Sequence, residues 1–336
     1  MIINGFDTNK KVLIVAEIGN NHEGNFHLAK KMIDLAYKAG ANAVKFQTYK
    51  VEDFILKKNM DRFNRMKKFQ LSFTQFKNLR DHALKKKMIF FSTPLDLDSA
   101  TFIGKLCPVI KIASGDNNYF ELIKKLLKLN KPIIISTGMT DEQKIKKILK
   151  FVKKRKNLNF IKKKLILMHC VTSYPVQDHY ANLLSIPYLK NKFRLTVGYS
   201  DHTLGNEACI VAAGLGARII EKHFTFNKKY SNFRDHALSA DYNDLKSLVS
   251  SIRKIEKMLG NYEKKVQKIE IQNQKETRRA IYAIKTMKQN SKILFQNIKF
   301  LRPGPSSIEL DFDSIKKKKL KRVIKVGSKI NLNKLS

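Results

Sequence analysis

A chain of 336 residues, 43% of them hydrophobic, is long enough for one barrel of roughly 250 residues plus a small extra domain. No apolar run approaches the ~18 residues of a membrane span. Sixty-seven Lys and Arg against 28 Asp and Glu give a net charge of +39, a balance that normally raises nucleic-acid binding.

The lysines, however, are spread over Lys144–Lys156, Lys162–Lys164 and Lys316–Lys321 without interleaved aromatics. No zinc-finger or RNA-recognition signature accompanies them, so a specific nucleic-acid partner is not expected. Three widely spaced cysteines, Cys107, Cys170 and Cys209, read as free thiols of a reducing compartment. Met1–Lys10 is largely polar and lacks an apolar signal region, so a cytoplasmic chain is expected.

In chain order, the apolar run Val12–Ile18 leads into A-E-I-G-N-N-H-E-G (16–24), and an amphipathic pattern covers Asn25–Ala39. Buried strand, polar turn and helix make the βα unit of a parallel sheet. The unit recurs. Ala43–Phe46 ends in K-F-Q-T-Y with Ser72–Lys86 helical after it, Met88–Phe91 in S-T-P, Val109–Ile112 in A-S-G-D-N-N, and Pro132–Ile135 in S-T-G-M. Leu165–Met168 ends in H-C-V-T-S-Y-P, Leu195–Tyr199 in S-D-H-T, and Ala217–Ile220 in E-K-H-F-T. Eight such units in about 250 residues predict an α/β TIM (β/α)8 barrel. The eight units, and the lack of an early Gly-x-Gly-x-x-Gly, argue against a doubly wound open sheet.

Every polar cluster follows a strand, where barrels of this kind keep their catalytic groups. His202 and His223 are one strand–helix repeat apart. They can share a metal ion or be hydrogen-bonded inside a core, and their spacing alone does not choose. Lys45 and Lys111 interrupt the apolar strands Val44–Phe46 and Ile110–Ile112, where an unpaired ammonium is costly and an anionic ligand would satisfy both. Ser92, Thr93, Ser114, Ser136, Thr172 and Ser200 add hydroxyl donors. Singly these are turn formers; with two lysines they suggest a cradle for phosphate and carboxylate. Glu17 and Asp235 supply carboxylates, which read equally as a structural ion pair and a helix cap.

Nine motifs in order (the eight strand-end clusters, with K-I-A-S-G-D-N and G-Y-S-D-H-T-L-G at full length, then R-D-H-A-L-S-A-D at 234–241) resemble the sialic acid synthase family. That family includes the N-acetylneuraminate, legionaminic and pseudaminic acid synthases. The resemblance implies a barrel over 1–260 closed by the helix Asp241–Leu259, a polar linker over 261–277, and a small antifreeze-protein-like (SAF) domain over 278–336. The last would hold R-R-A-I-Y-A (278–283) and L-R-P-G (301–304).

It further implies condensation of phosphoenolpyruvate with an N-acetylated hexose, N-acetylmannosamine or a diacetamido-dideoxyhexose, with release of phosphate and formation of a nine-carbon 2-keto acid. Carried over residue by residue, His202 and His223 resemble ligands of a divalent metal, manganese first and magnesium or cobalt next, serving as a Lewis acid on the sugar aldehyde. Lys45, Thr93, Lys111, Ser114, Ser136, Thr172 and Ser200 match the phosphoenolpyruvate-binding positions. Glu17, Gln47, Asp116, Tyr174, Asp235 and Arg302 match the sugar-facing ones. Arg302 in this family often comes from the partner of a domain-swapped homodimer.

The chain departs from the pattern at Asp116, where many members carry glutamate, and at Thr172, where some carry asparagine. The loop Phe226–Phe233 lacks Pro-Gly-Pro, and P-G-P-S-S-I-E-L-D-F-D after Arg302 is shorter and poorer in glycine than usual. Two rivals stand beside this reading. One is an aldol-type enzyme joining phosphoenolpyruvate to a phosphorylated sugar, which would need extra arginines at the mouth that the motifs do not supply. The other is a non-catalytic binder of nucleic acid or another anionic polymer.

Overall fold

The computed structural model describes residues 1–302 and 312–336. Its eight barrel strands are Leu13–Gly19 (β1), Ala43–Thr48 (β2), Ile89–Pro94 (β3), Ile110–Ile112 (β4), Ile133–Ser136 (β5), Leu165–Cys170 (β6), Thr196–Asp201 (β7) and Ile219–His223 (β8). Each pairs in parallel with its sequence neighbour and β8 pairs with β1, so the sheet closes. Strands covered by helices outside and by packed side chains inside need apolar residues on both faces; β1 and β6 are buried at every position.

Several of the helices start at a short polar side chain that caps them. Asn25 Oδ1 accepts from the Leu28 amide at the start of Phe26–Lys38, which turns Leu28, Ala29, Met32, Ile33 and Ala36 onto the sheet. Ser72 and Gln75 exchange side-chain and backbone hydrogen bonds ahead of Phe73–Lys85, and Asp241 with Asp244 does the same ahead of Tyr242–Leu259. Each such cap contributes about 1 kcal/mol.

Several strands run further than their apolar cores. β3 continues to Pro94, because Gln47 and Thr48 still pair with Thr93 and Pro94. Ser92 is therefore inside the sheet and, by strand alternation, faces away from the lumen. Its hydroxyl donates to the Phe46 carbonyl at 2.9 Å and lies 2.7 Å from Thr48 Oγ1. It is a tie between the neighbouring strands β2 and β3, and no part of the anion cradle proposed for it.

Two elements are additions to the expected scheme. Ile2–Ile3 and Phe6–Asp7 pair as an antiparallel hairpin. The helix Met60–Phe69, capped by Asn59, stands between β2 and Phe73–Lys85. No helix among the described residues is long and apolar enough to cross a membrane.

The chain forms two compact units, Met1–Gly260 and Asn261–Ser336. In the second, Ala280–Ala283 and Ile298–Leu301 pair antiparallel. Its own core gathers Ile281, Met287, Ile293, Ile298, Leu320, Ile324, Ile330 and Leu335. The stretch 261–277, expected as a polar linker, carries the helix Glu270–Thr277 with no buried residue. Pro303–Gly304 and most of the atypical motif that follows Arg302 lie outside the described residues.

Candidate active site at the mouth of the barrel

Alternation along β1, β2, β4, β7 and β8 turns Glu17, Lys45, Lys111, Ser200 and Glu221 into the lumen. There they form one network. Lys45 Nζ lies 2.8 Å from Glu17 Oε2 and 3.6 Å from Glu221 Oε1, and donates to Thr93 Oγ1 at 3.3 Å. Lys111 Nζ donates to both Glu221 oxygens at 2.9 Å, and Ser200 Oγ donates to Glu221 Oε1 at 2.9 Å. The lysines thus find their counter-charges inside the barrel, where a ligand was expected to supply them. The carboxylate that joins them, Glu221, had no role in the sequence reading.

Burial raises a carboxyl and an ammonium neighbour lowers it, and the two acids resolve this differently. Glu17 faces chiefly one ammonium, so burial prevails over Lys45 and pushes its carboxyl up to about 7. Burial also acts on Glu221, but Lys111 and then Lys45 more than offset it and hold the group at about 2. Burial draws Lys111 below its ordinary value against the pull of Glu221, whereas at Lys45 the two carboxylates outweigh burial and raise it.

Above this floor stand the histidines. His223 ends β8 and His202 follows β7 by one residue; both are buried, with ring centroids 5.3 Å apart. His202 Nδ1 donates to the Val171 carbonyl at 2.7 Å, which leaves Nε2 as the ring's free nitrogen. His223 Nδ1 is buried without a hydrogen-bond partner. Burial holds His223 well below its ordinary value, so it is a neutral imidazole. A buried, unpaired ring nitrogen is costly unless something occupies it. Metal–nitrogen bonds of about 2.1 Å let one ion touch both rings, so the pair fits a divalent cation. Among the described residues no group of three or more His, Cys, Asp or Glu is placed to hold a metal. An ion held by this pair therefore keeps positions open for substrate, as catalytic sites require. At His202 burial favours the neutral ring, but Cys170 and the Val171 carbonyl raise the group on balance; a metal there competes with a proton.

The cavity above these groups measures about 1140 Å³. Gln47, Asp116, Tyr174, His223 and Asp235 line it. Asn20 Nδ2 donates to Gln47 Oε1 at 2.9 Å and so orients the amide. Burial pushes Asp116 up to about 6 and raises Asp235 against its neighbour Arg234. Arg234 stacks over Tyr174 at 4.4 Å, and Tyr174 packs on His202 with centroids 4.3 Å apart. Just past the ends of β4 and β5, Ser114 Oγ accepts from the Gly138 amide at 3.2 Å. A Cβ at Gly138 would stand 2.5 Å from both Ser114 Oγ and Thr172 Oγ1. Ser114 and Thr172 therefore converge on bare backbone, which places two hydroxyls side by side. Ser136 is buried at the end of β5.

The comparisons agree with this geometry. The NeuB family model matches residues 32–264. The chain belongs to the NeuB family. It is 37% identical to the N,N'-diacetyllegionaminic acid synthase of Campylobacter jejuni, over 88% of this chain and 91% of that protein. It is 36% identical to the N-acetylneuraminate-9-phosphate synthase of Drosophila melanogaster, over 75% of this chain and 71% of that protein. Among solved structures, the N-acetylneuraminic acid synthetase of Leptospira borgpetersenii superposes with a TM-score of 0.74 at 34% identity, over 79% of this chain and 90% of that chain.

For a NeuB-family barrel, two features of the mouth escape motif reading. Glu221 sits in the quoted E-K-H-F-T, and its strand position two residues before His223 was the available signal. The mouth arginines judged absent are present: Arg62 and Arg65, with Lys68, line the cavity from the helix Met60–Phe69, and Arg234 lines it beside Asp235. Arg62 and Arg65 were invisible because that helix carries no family motif, whereas Arg234 opens the quoted R-D-H-A-L-S-A-D and was overlooked there. Arg302, exposed at the end of Ile298–Leu301, belongs to the second unit.

Proposed function

We propose that the chain is a nonulosonic acid synthase that condenses phosphoenolpyruvate with an N-acylated amino hexose and releases inorganic phosphate. The observation that carries this reading is the pairing of two buried ammonium groups in the barrel floor with two histidines at its rim, in a NeuB-family chain. Phosphoenolpyruvate needs fixed cations for its carboxylate and phosphate; Lys45 and Lys111 would exchange their carboxylate partners Glu17 and Glu221 for it, with Thr93, Ser114, Thr172 and Ser200 as hydroxyl donors. Its methylene carbon bonds to the sugar's aldehyde carbon, water adds to the former enol carbon, and the carbon–oxygen bond to phosphate breaks. One proton of that water leaves with phosphate as the former enol carbon becomes the keto group, and the other balances the one the new alkoxide takes. Glu17, with its carboxyl near 7, is suited to hold or pass that proton at neutral pH.

A divalent metal on His202 and His223, manganese first, would supply Lewis-acid polarisation of the aldehyde. Gln47, Asp116, Tyr174 and Asp235 face the sugar and select it by hydrogen bonding. Residues 278–336, within the unit Asn261–Ser336, are assigned as the antifreeze-like domain of a cytoplasmic, domain-swapped homodimer, with Arg302 directed at the sugar's N-acyl group.

A second reading concerns the sugar's tail. Arg62, Arg65 and Lys68 on the cavity wall suit a hexose bearing a phosphate, and one relative is named for a 9-phosphate product. The test is phosphate release from phosphoenolpyruvate, with and without manganese, across N-acetylmannosamine, its 6-phosphate and the diacetamido-dideoxyhexoses. Release with one sugar, abolished by chelation, supports the reading and names the substrate. Absence of release with all of them from folded, manganese-loaded protein refutes it.

A further inference from the structure

A second buried ion pair lies behind the histidines, on the outer face of the barrel. Lys222 Nζ is 2.6 Å from Asp201 Oδ2, with side-chain exposures of 2% and 0%. The two residues are direct cross-strand partners of β7 and β8. Because alternate residues face opposite sides, their immediate successors, His202 and His223, point inward while this pair points toward the helix Glu207–Gly214.

The pair is fully satisfied. Asp201 Oδ1 accepts from the Tyr199 hydroxyl, the Thr203 amide and the Thr203 hydroxyl, each at 2.9 Å, and Asp201 Oδ2 accepts from Cys209 Sγ at 3.3 Å. Lys222 Nζ also donates to the Thr203 carbonyl at 2.5 Å. One ammonium, on the neighbour of His223, therefore grips both neighbours of His202.

This matters because the two rings are held unequally. His202 is oriented by the Val171 carbonyl, whereas His223 Nδ1 has no partner. His223 depends on its backbone, which is fixed by the Ala240 amide donating to its carbonyl at 2.8 Å and by the Lys222 anchor. A backbone shift at either strand end changes the distance between the rings directly.

We infer that Asp201 and Lys222 are positioning residues that set the His202–His223 separation, and so the affinity of the site for its divalent cation. The inference rests on the proposed metal site. Supporting groups of this kind change metal affinity by about 10–100-fold.

The test is Mn2+ binding, read by the electron paramagnetic resonance signal of free Mn2+, on the full chain and on Asp201→Asn/Lys222→Met. The double variant removes both charges, so neither is left buried alone. We expect a folded protein whose Mn2+ dissociation constant is about 10–100-fold higher, with turnover recovering as Mn2+ is raised. A variant that melts earlier but binds Mn2+ within twofold of the parent would show a merely structural pair and overturn the inference. Should the double variant not fold, Lys222→Arg keeps the charge and moves the donors, and an unchanged dissociation constant there overturns it equally. If the parent itself binds no Mn2+, or binds it as well after His223→Ala, the metal site fails and the inference fails with it. Parental binding lost in His223→Ala but unchanged in the pair variants isolates the failure to the positioning role.

Discussion

Glu221 makes two buried lysines tolerable in one barrel, and removing its charge should be costly. Breaking a buried pair from one side costs about 3–5 kcal/mol because the other charge is left uncompensated. Glu221→Gln should lower the unfolding free energy by that order, and added phosphate should restore more stability to the variant than to the parent, since it would neutralise ammonium charge that the neutral amide no longer balances. Equal phosphate effects in the two proteins would contradict this. His223→Ala should retain the far-ultraviolet spectrum of the parent and lose manganese-dependent phosphate release; unchanged release would remove the metal assignment.

Asp116 supplies a pH signature. Burial pushes its carboxyl from the ordinary 3.8 to about 6, so the folded chain binds this proton more tightly than the unfolded chain does. The associated stability is present below about pH 4 and is lost as pH rises through 6. Asp116→Asn should thus gain stability relative to the parent between pH 4 and 6 and keep a constant advantage above. Parallel curves across that range in chemical denaturation would exclude the shift.

Among the elements, the turn after β5 and the helix Met60–Phe69 shape the cavity most. Gly138 lets two hydroxyls approach the backbone, and an added methyl collides with both. Gly138→Ala should raise the phosphoenolpyruvate requirement at least 10-fold, with a much smaller effect on the sugar requirement, because the obstruction is confined to the anion wall. A change confined to the sugar would instead move the anion site elsewhere. Gly19 plays a different part: at φ +52° it adopts a left-handed conformation that side chains resist, where the β1–β2 register shifts after Glu17. The bulge breaks the alternation just past Glu17 and lets the chain turn out of the sheet into the loop that carries Asn20.

For the whole molecule, two separate cores predict separable folding. Residues 1–260 expressed alone should melt cooperatively and bind Mn2+ like the full chain, because every residue assigned to the metal and anion sites lies within them. Arg302→Ala in the full chain should raise the sugar requirement about 10-fold and leave that for phosphoenolpyruvate unchanged, as loss of one charged hydrogen bond would. An unaltered sugar requirement would end the role proposed for Arg302. The net charge of +39 says little about the mouth, where Glu17, Glu221, Asp116 and Asp235 are set among Lys45, Lys111, Arg62, Arg65, Lys68 and Arg234.

The repeated alternation of apolar run, polar turn and amphipathic helix determines the barrel by itself, because period and burial are local properties that the chain carries in its order. The lumen-facing positions of Glu17, Lys45 and Lys111 within their strands, and of His202 and His223 at strand ends, follow from the same periodicity. Tertiary closure decided what those residues touch. Only when β8 meets β1 does Glu221 come between Lys45 and Lys111, and only the continued ladder of β3 turns Ser92 outward and Thr93 inward. The arginines of Met60–Phe69 reach the cavity through the packing of a helix whose apolar period (Phe63, Met66, Phe69) is legible in the sequence but whose place against the mouth is not. Contacts between residues more than a hundred positions apart depend on ring closure and strand register, which no local pattern encodes.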